Sequence, residues 1–138
     1  MPEANVITSA VVVEKGEMLQ GILGNLNYYW GINNASNKKY VADFKAKYKR
    51  LPEHHETHGY IDTAIFLAGL EKTGGDPSFE KFKKAILGLK METPQGPLSF
   101  DPNGVALNNI YIGDIQKKEG VWVWNTLKTF IQPRDPGY

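Results

Sequence analysis

The hydrophobic pattern begins with the run VITSAVVV, residues 6–13, which is almost continuously apolar and β-branched. Such a run is typical of a strand that is covered on both faces, as in a parallel sheet. In residues 16–31 the apolar positions follow helical spacing, but Gly21 and Gly24 interrupt them. The pattern therefore predicts a buried opening strand, followed by a weak, short helix or a turn.

Two amphipathic helices are predicted next. From Tyr40 onwards, apolar residues recur at i, i+1, i+4 and i+8, in a helix that begins near Ser36 or Asn37. Cations and Pro52 mark its end, since the helix dipole favours cations there and proline cannot continue the helix. The second helix is predicted over about His55–Lys72, with a broad apolar face that should be largely buried.

A third helix is predicted after the pair Gly74-Gly75, which ends the second one. Asp76-Pro77 offers an N-cap acid and a proline at the first helical position. Apolar residues from Phe79 to Leu89 then mark its inner face. The middle of the chain is thus predicted to hold three helices.

The last third of the chain is predicted to be β structure. The stretch TPQGPLSFDPNG, residues 93–104, places the short apolar patch Leu98–Phe100 between a segment closed to helix by its prolines and a Pro-Asn-Gly turn. Strands are also predicted at 109–116 and 121–124, on either side of a turn at 117–120. We therefore predict an α/β fold with about three helices packed on a sheet and a C-terminal antiparallel meander of three strands.

Composition excludes several classes of protein. The 138 residues include 16 Lys and Arg against 15 Asp and Glu, a formal charge of +1, so no overall field attracts nucleic acid. The absence of cysteine excludes disulfides and thiolate metal sites. No apolar run reaches the about 18 residues needed to span a bilayer, and Met1-Pro2-Glu3 opens no signal peptide. The length predicts a single domain or part of one.

The sequence contains no catalytic motif. His54 and His58 lie at i and i+4 and could share a metal, but the zinc-protease pattern needs Glu directly after the first histidine, where His55 stands. With no third ligand in reach, solvated histidines at a polar helix start are favoured over a metal site. Neither a phosphate-binding loop nor a Gly-x-Ser-x-Gly elbow occurs. We therefore predict a protein that is not an enzyme and uses no metal or other cofactor.

Aromatic residues are the strongest indication of a binding site. Tyr28, Tyr29 and Trp30 are adjacent, and three neighbouring rings cannot all enter one core from a single segment. At least one is expected to face a groove, where an aromatic ring suits a small organic ligand, although packing under the helices is an equal alternative. Trp122 and Trp124 share one strand face, which favours mutual packing or an interface.

Four segments together resemble a known family. In order and spacing, they are similar to the last third of the type I periplasmic substrate-binding proteins, which include the branched-chain amino acid binding proteins of ABC transporters. The segments are 40-YVADFKAKYKRLP-52, 59-GYIDTAIFLAGLEKTGG-75, 93-TPQGPLSFDPNG-104 and 110-IYIGDIQ-116. The resemblance extends over about residues 5–125 and implies that residues 1–138 form a single segment, the C-terminal part of a two-lobe protein.

The resemblance implies a function and a site. Members have two α/β lobes, joined by three crossover strands, that close around an amino acid or similar small carboxylate for a membrane permease, in the periplasm or outside the cell. Tyr28, Tyr29, Trp30 and the start of the second helix, His55 to Tyr60, would border the cleft. Free N–H groups at that helix start would favour a ligand carboxylate.

An alternative is a non-catalytic interaction or sensory module that kept the fold and lost the cleft. Members are roughly twice as long as this chain or longer, so the predicted apolar helix faces and the opening strand lack the surfaces that would cover them. Uncovered faces and strand edges recruit other chains. We therefore expect the 138-residue chain to form a homo-oligomer, most simply a symmetric dimer.

Overall fold

A computed structural model of the chain describes residues 9–134 and contains four helices and six strands in that range. The helices are α1 (Ser9–Leu19), α2 (Ala35–Tyr48), α3 (His54–Lys72) and α4 (Phe79–Leu87). The strands are β1 (Leu23–Leu26), β2 (Lys90–Thr93), β3 (Gly96–Phe100), β4 (Ala106–Leu107), β5 (Ile110–Lys118) and β6 (Val121–Phe130). The prediction of an α/β fold is confirmed. None of these four helices is both long enough and apolar enough to cross a bilayer.

The strands form two separate antiparallel sheets, ordered β1-β5-β6 and β2-β3-β4. Helix α1 packs on the first sheet, whereas α2 and α4 contact the second and α3 packs on α4. The first sheet with α1 forms one half of the structure, and the second sheet with α2, α3 and α4 forms the other. Three connecting segments join these two halves: residues 27–34 between β1 and α2, residues 108–109 between β4 and β5, and residues 131–134 after β6. The last of these returns to the second sheet, where Gln132 Nε2 donates to Leu107 O over 3.1 Å.

The predicted opening strand is wrong over residues 9–13, which lie in α1; residues 6–8 are outside the described part of the chain. Val12 is 6% exposed and packs on Leu26 and Ile115, and Gly16, four residues later, is also buried, whereas residues 13–15 between them are exposed. Burial at a spacing of four residues suits a helix, and tertiary packing outweighs the β propensity of valine.

The weak helix or turn predicted within residues 16–31 is partly wrong as well. The helix α1 extends to Leu19, and Gly21 turns the chain with a φ of +75°, a value that glycine adopts without strain. Residues 23–26 then form β1, which pairs with β5, and Leu26 is buried while Leu23 is exposed. The alternation of buried and more exposed residues in this short strand cannot be read from the sequence, because the apolar residues around it follow helical spacing.

Helices α2 and α3 are confirmed, with adjusted starts. The N-cap of α2 is Asn34, not Ser36 or Asn37, and its Oδ1 accepts from the Asn37 N–H over 2.6 Å. Asn37 is buried instead, and its Nδ2 donates to the carbonyl oxygens of Trp30 and Ile32, over 2.8 Å each. This single carboxamide therefore fixes the first connecting segment to the start of α2.

Helix α4 begins two residues later than predicted, and Asp76 is not its N-cap. The N-cap residue is Ser78, whose backbone N–H donates to Asp76 Oδ1 over 2.9 Å. Asp76 also pairs with Lys81 at 2.5 Å. The pair Asp76-Pro77 thus forms a turn ahead of the helix, because an aspartate can bond the N–H two residues on as well as it caps a helix.

The predicted three-stranded meander is wrong, although each of its strands exists. Strand β3 pairs with β2 and β4 in the second sheet, so the third strand beside the β5–β6 hairpin is β1. The turn after β3 forms as predicted, with Asp101 Oδ1 accepting from the N–H groups of Asn103 and Val105. Which strands share a sheet depends on long-range pairing, and the local pattern does not encode it.

Two clusters of buried apolar side chains lie in the described part of the chain. The first is built from Val12, Leu26 and Ile115, and the second from Tyr28, Ile32, Tyr40 and Tyr111. Partly buried Tyr29 packs against both clusters. Its ring lies edge-on to Tyr111, at 5.9 Å between centroids, and 6.5 Å from the Trp124 ring. The two halves of the structure are therefore in apolar contact through the second cluster, which includes Tyr111 of β5 and Tyr40 of α2, and Tyr29 links it to the first.

We expect Gly113→Ala to lower the free energy of unfolding by about 1–3 kcal/mol, because an added Cβ would overpack the β5–β6 pair. That Cβ would lie 2.3 Å from the Asn125 carbonyl oxygen and 2.8 Å from the Trp124 ring. The matched control is Gly59→Ala in α3, where a Cβ meets nothing within 4 Å and should stabilise by about 0.5–1 kcal/mol. Urea denaturation measures both, and equal effects would contradict the β5–β6 packing.

We expect Asn37→Ala to lower the free energy of unfolding by about 2–3 kcal/mol, since two backbone carbonyls in the first connecting segment lose their donor. Asn33→Ala is the control, because the Asn33 side chain is exposed, and its effect should stay within about 0.5 kcal/mol. Thermal unfolding followed by circular dichroism compares the two variants. A destabilisation of Asn37→Ala no larger than that of the control would contradict this role.

Candidate ligand-binding site

Two cavities meet at His54, the first residue of α3, and His54 lines both of them. The first, here called the aromatic cavity, has a volume of about 520 Å³. Its wall includes Tyr28, Tyr29, Trp30, His54, Trp122 and Trp124. The second, here called the polar cavity, has a volume of about 590 Å³ and is lined by imidazole and carboxamide side chains. Both cavities are also lined by residues of the connecting segments.

The aromatic cavity is positioned by the contact of the first connecting segment with the β5–β6 hairpin. Tyr29 accepts a hydrogen bond at its hydroxyl from Thr126 Oγ1, over 2.8 Å. Trp122 lies over Gly16 of α1 so closely that a Cβ there would be 2.1 Å from the indole ring. Both Trp122 and Trp124 are half-buried and pack against the first core cluster. The indoles therefore form part of the cavity wall as well as part of the core.

Tyr28, Tyr29 and Trp30 occupy three different environments. Tyr28 is buried in the second core cluster, edge-on to the Tyr40 ring at 6.3 Å, and burial raises the pKa of its hydroxyl well above the usual range. Tyr29 joins the two clusters, and Trp30 is half-buried at the cavity wall. Core packing and cavity lining, the two alternatives read from the sequence, thus both occur within this one segment.

The polar cavity is lined by three imidazoles and four carboxamides. These residues are His54, His55, His58, Asn25, Asn27, Asn108 and Asn109. The ring of His54 lies 4.1 Å from that of His58 and 5.2 Å from that of His55, measured between centroids. From the sequence, His54 and His58 are predicted to be solvated histidines rather than a metal site, and the resemblance places His58 within the segment His55 to Tyr60 at the border of the cleft. Their position beside the connecting segments could not be read from the i, i+4 spacing.

Burial disfavours the charged form of two of these imidazoles, His54 and His58. Burial, followed by the proximity of His58 and His55, lowers the pKa of His54 to about 4. Burial also lowers the pKa of His58, while the nearby Asp62 carboxylate acts in the opposite direction. His54 and His58 are thus neutral at pH 7. Within residues 9–134, no group of three or more His, Cys, Asp or Glu side chains is arranged to hold a metal ion.

The start of α3 is occupied by its own side chains. Glu53 and Glu56 form a capping box, in which the Glu53 side chain accepts from the Glu56 N–H and Glu56 Oε2 accepts from the Glu53 N–H. Glu56 is also paired with Arg50, which holds the pKa of its carboxyl below the usual range. The N–H of Glu56 is therefore unavailable to a ligand. The helix start does not offer all of its N–H groups to a carboxylate, as the resemblance had implied.

Four of the five predicted site residues line these cavities, and one lies elsewhere. Tyr28, Tyr29 and Trp30 line the aromatic cavity and the exposed His55 lines the polar one. Tyr60 is 53% exposed and lies against Tyr40, 4.7 Å between ring centroids, in a surface groove between α2 and α3. The structure therefore does not bring Tyr60 together with the other four.

Solved structures with this architecture are solute-binding proteins. One from an ABC transporter of Rhodopseudomonas palustris BisB5, in complex with 3,4-dihydroxybenzoic acid, is 28% identical with a TM-score of 0.87, over 98% of this chain and 38% of that one. Another, from Rhodopseudomonas palustris HaA2 in complex with p-hydroxybenzoic acid, is 25% identical with a TM-score of 0.88, over the same shares. The two antiparallel sheets and four helices thus match part of a type I periplasmic binding protein.

Comparison with curated proteins agrees. The chain is 26% identical over 126 residues to Leu/Ile/Val-binding protein homolog 6 of Brucella abortus, covering 88% of this chain and 32% of that protein. The chain thus spans about a third of the length of the curated relatives it matches. The family model described as "Periplasmic binding protein" matches residues 5–120. The resemblance inferred from four sequence segments is confirmed, and the chain belongs to the periplasmic binding protein family.

Proposed function

We propose that this chain is the C-terminal part of the substrate-binding component of an ABC importer, which captures an amino acid or a similar small carboxylate by hinge closure. The observation that carries the proposal is the position of the aromatic cavity beside the connecting segments. Tyr29 and Trp30 belong to the first connecting segment and also line the cavity. A ligand held there contacts the same residues whose backbone must rotate when the halves close.

The lining of the aromatic cavity favours a ligand with an apolar body. Indole and phenol rings provide large contact areas, and tyrosine hydroxyls add hydrogen-bonding groups at the edge. Branched-chain and aromatic acids are therefore expected to bind better than small polar ones. Both ligand classes occur among the similar proteins reported above. One is named for binding Leu, Ile and Val, and two were solved in complex with hydroxybenzoic acids.

A protein of this kind performs no chemistry on its ligand. The free energy of ligand binding is used to shift the equilibrium between open and closed shapes. Its partner would be a membrane permease that recognises the closed shape, and its place of action the periplasm or the cell exterior. Family membership supports each of these proposals for the parent protein.

The alternative is an interaction or sensory module of the same fold, and exposed apolar side chains on α3 and α4 favour it. Phe66 is 50%, Leu67 58% and Phe79 72% exposed, and Leu67 lies on the longest helix. Exposed apolar patches of this kind mark surfaces that another polypeptide covers. In a longer parent protein the additional chain would cover them, and in the 138-residue chain a second copy would do so.

We expect the chain, and the whole encoded protein where the reading frame is longer, to bind 4-hydroxybenzoate or leucine with quenching of tryptophan fluorescence. Trp30→Ala should weaken binding about tenfold, because a ring of the cavity wall is lost. Phe79→Ala removes an exposed ring of α4 and serves as the control, with affinity unchanged. Isothermal titration calorimetry measures the affinity for each compound, and glutamate, a small polar acid, should bind more weakly than 4-hydroxybenzoate or leucine. If none of these compounds binds to either protein, the proposed function is wrong.

We expect the 138-residue chain alone to have the mass of a dimer by light scattering at micromolar concentration. Leu67→Lys should shift it towards the monomer, since a charge on an apolar contact is costly to bury. Val105→Lys is the matched control, because Val105 has the same 58% exposure but lies in the turn after β3. A sharp monomer mass without binding of a hydrophobic dye would contradict self-association.

A further inference from the structure

Histidine is the only type of residue in the lining of the polar cavity, as described, that can carry a charge. Among the described residues that line it there is no Asp, Glu, Lys or Arg, and the only titratable side chains are His54, His55 and His58. The other polar side chains of the lining are asparagines, which are neutral at every physiological pH. Any charge that the lining itself acquires is therefore positive, and it comes from protonation of an imidazole.

The buried Gln95 carboxamide is a hydrogen-bond partner of His58. Its Nε2 lies 2.7 Å from His58 Nε2 and donates to it when the ring is neutral with its proton on Nδ1. When the ring is protonated, half a rotation of the carboxamide presents its oxygen to the Nε2–H. In both states the Nδ1–H of His58 has no hydrogen-bond partner among the described residues and can donate to a ligand.

Other polar atoms of the lining residues also lack partners. Nδ1 of His54 and Oδ1 of both Asn27 and Asn108 are buried and have no hydrogen-bond partner in the described part of the chain. Buried polar atoms are paired in the great majority of cases, so these three leave hydrogen-bonding capacity that a water or a ligand group can use once the side chains turn towards the cavity. A carboxamide can also turn its NH₂ group towards an acceptor by half a rotation about its terminal torsion.

We infer that the polar cavity receives the carboxylate of the ligand and that this anion binds together with a proton taken from solvent onto the histidine cluster. The inference rests on the proposed function and specifies how the same site recognises its ligand. His54 lines both cavities, so a carboxylate in the polar cavity lies next to a residue that also borders the aromatic one. A carboxylate suits this wall because imidazole and carboxamide N–H groups donate to it, and a protonated imidazole balances its charge.

Charged groups around the cluster set the direction of the pH dependence. Asp62 stabilises protonated His58, whereas Glu53 and Glu56 are engaged in the capping box and Glu56 is neutralised by Arg50. Among the described residues, the connecting segments contribute no charged side chain to the lining. A bound carboxylate therefore raises an imidazole pKa that burial keeps low, and affinity should increase as pH falls below the ordinary histidine pKa of about 6.5.

The experiment compares benzoate with benzamide, which has the same ring but no charge, in calorimetric titrations at pH 8.0, 6.5 and 5.0. Benzoate should bind more tightly at pH 5.0 than at pH 8.0, by up to about tenfold for each unit by which binding raises a histidine pKa. Benzamide should show no such trend. Proton NMR of the imidazole C2–H signals should show a higher histidine pKa with benzoate present.

Substitutions locate the effect. His55→Gln alters an exposed residue and should fold normally, and together with His54→Gln and His58→Gln it should abolish the pH trend while leaving residual binding. Tyr48→Phe, at an exposed position that lines neither cavity, is the control and should keep the trend. If benzoate binds with the same affinity at all three pH values, or if the folded triple variant keeps the trend, the inference is wrong while the proposed function stands. If no acid or amino acid binds at all, both fail.

Discussion

Neutral carboxamide side chains fix the connecting segments of this structure to the second half and to one another. Asn37 binds two carbonyl oxygens of the first connecting segment, and the Asn34 Nδ2 donates to Pro94 O of the second half. Asn109 Oδ1 accepts from the backbone N–H of Gln132, joining the second and third segments. Because a carboxamide both donates and accepts without carrying charge, these bonds are insensitive to salt and to pH between the extremes.

This arrangement explains why the candidate site lies where it does. Backbone that runs between two packed halves has few neighbours of its own, so its polar groups need side-chain partners and its flanks remain open as cavities. Aromatic residues of the first segment fill one flank, and histidines at the start of α3 fill the other. Gln95 connects the polar cavity to the core, because its backbone carbonyl oxygen accepts a hydrogen bond from the buried Tyr111 hydroxyl over 2.6 Å. Apolar contact and polar recognition are thus separated on opposite sides of His54.

The sequence predicted those parts of the fold that local patterns encode. Helices α2 and α3 and the turn after β3 followed from periodicity and from proline and glycine positions. The start of helix α1 is predicted as a strand because the run of residues 6–13 shows no helical period, and the packing of Val12 on Ile115 decides the outcome. In the site, Tyr28, Tyr29, Trp30 and His55 were identifiable by residue type. His54 and the two indoles required the hairpin and connecting segments to be folded beside one another.

Tyr29 belongs to both apolar clusters, and this sharing has a consequence for how the molecule fluctuates. A hinge whose halves had wholly independent cores could open without loss of packing, and each half could unfold separately. Here, opening at the first connecting segment moves a ring that both cores contact, so large openings and global unfolding draw on the same contacts. The amplitude of the hinge motion is thereby bounded by the stability of the cores, and backbone amides on both sides of the junction should exchange with solvent at similar rates.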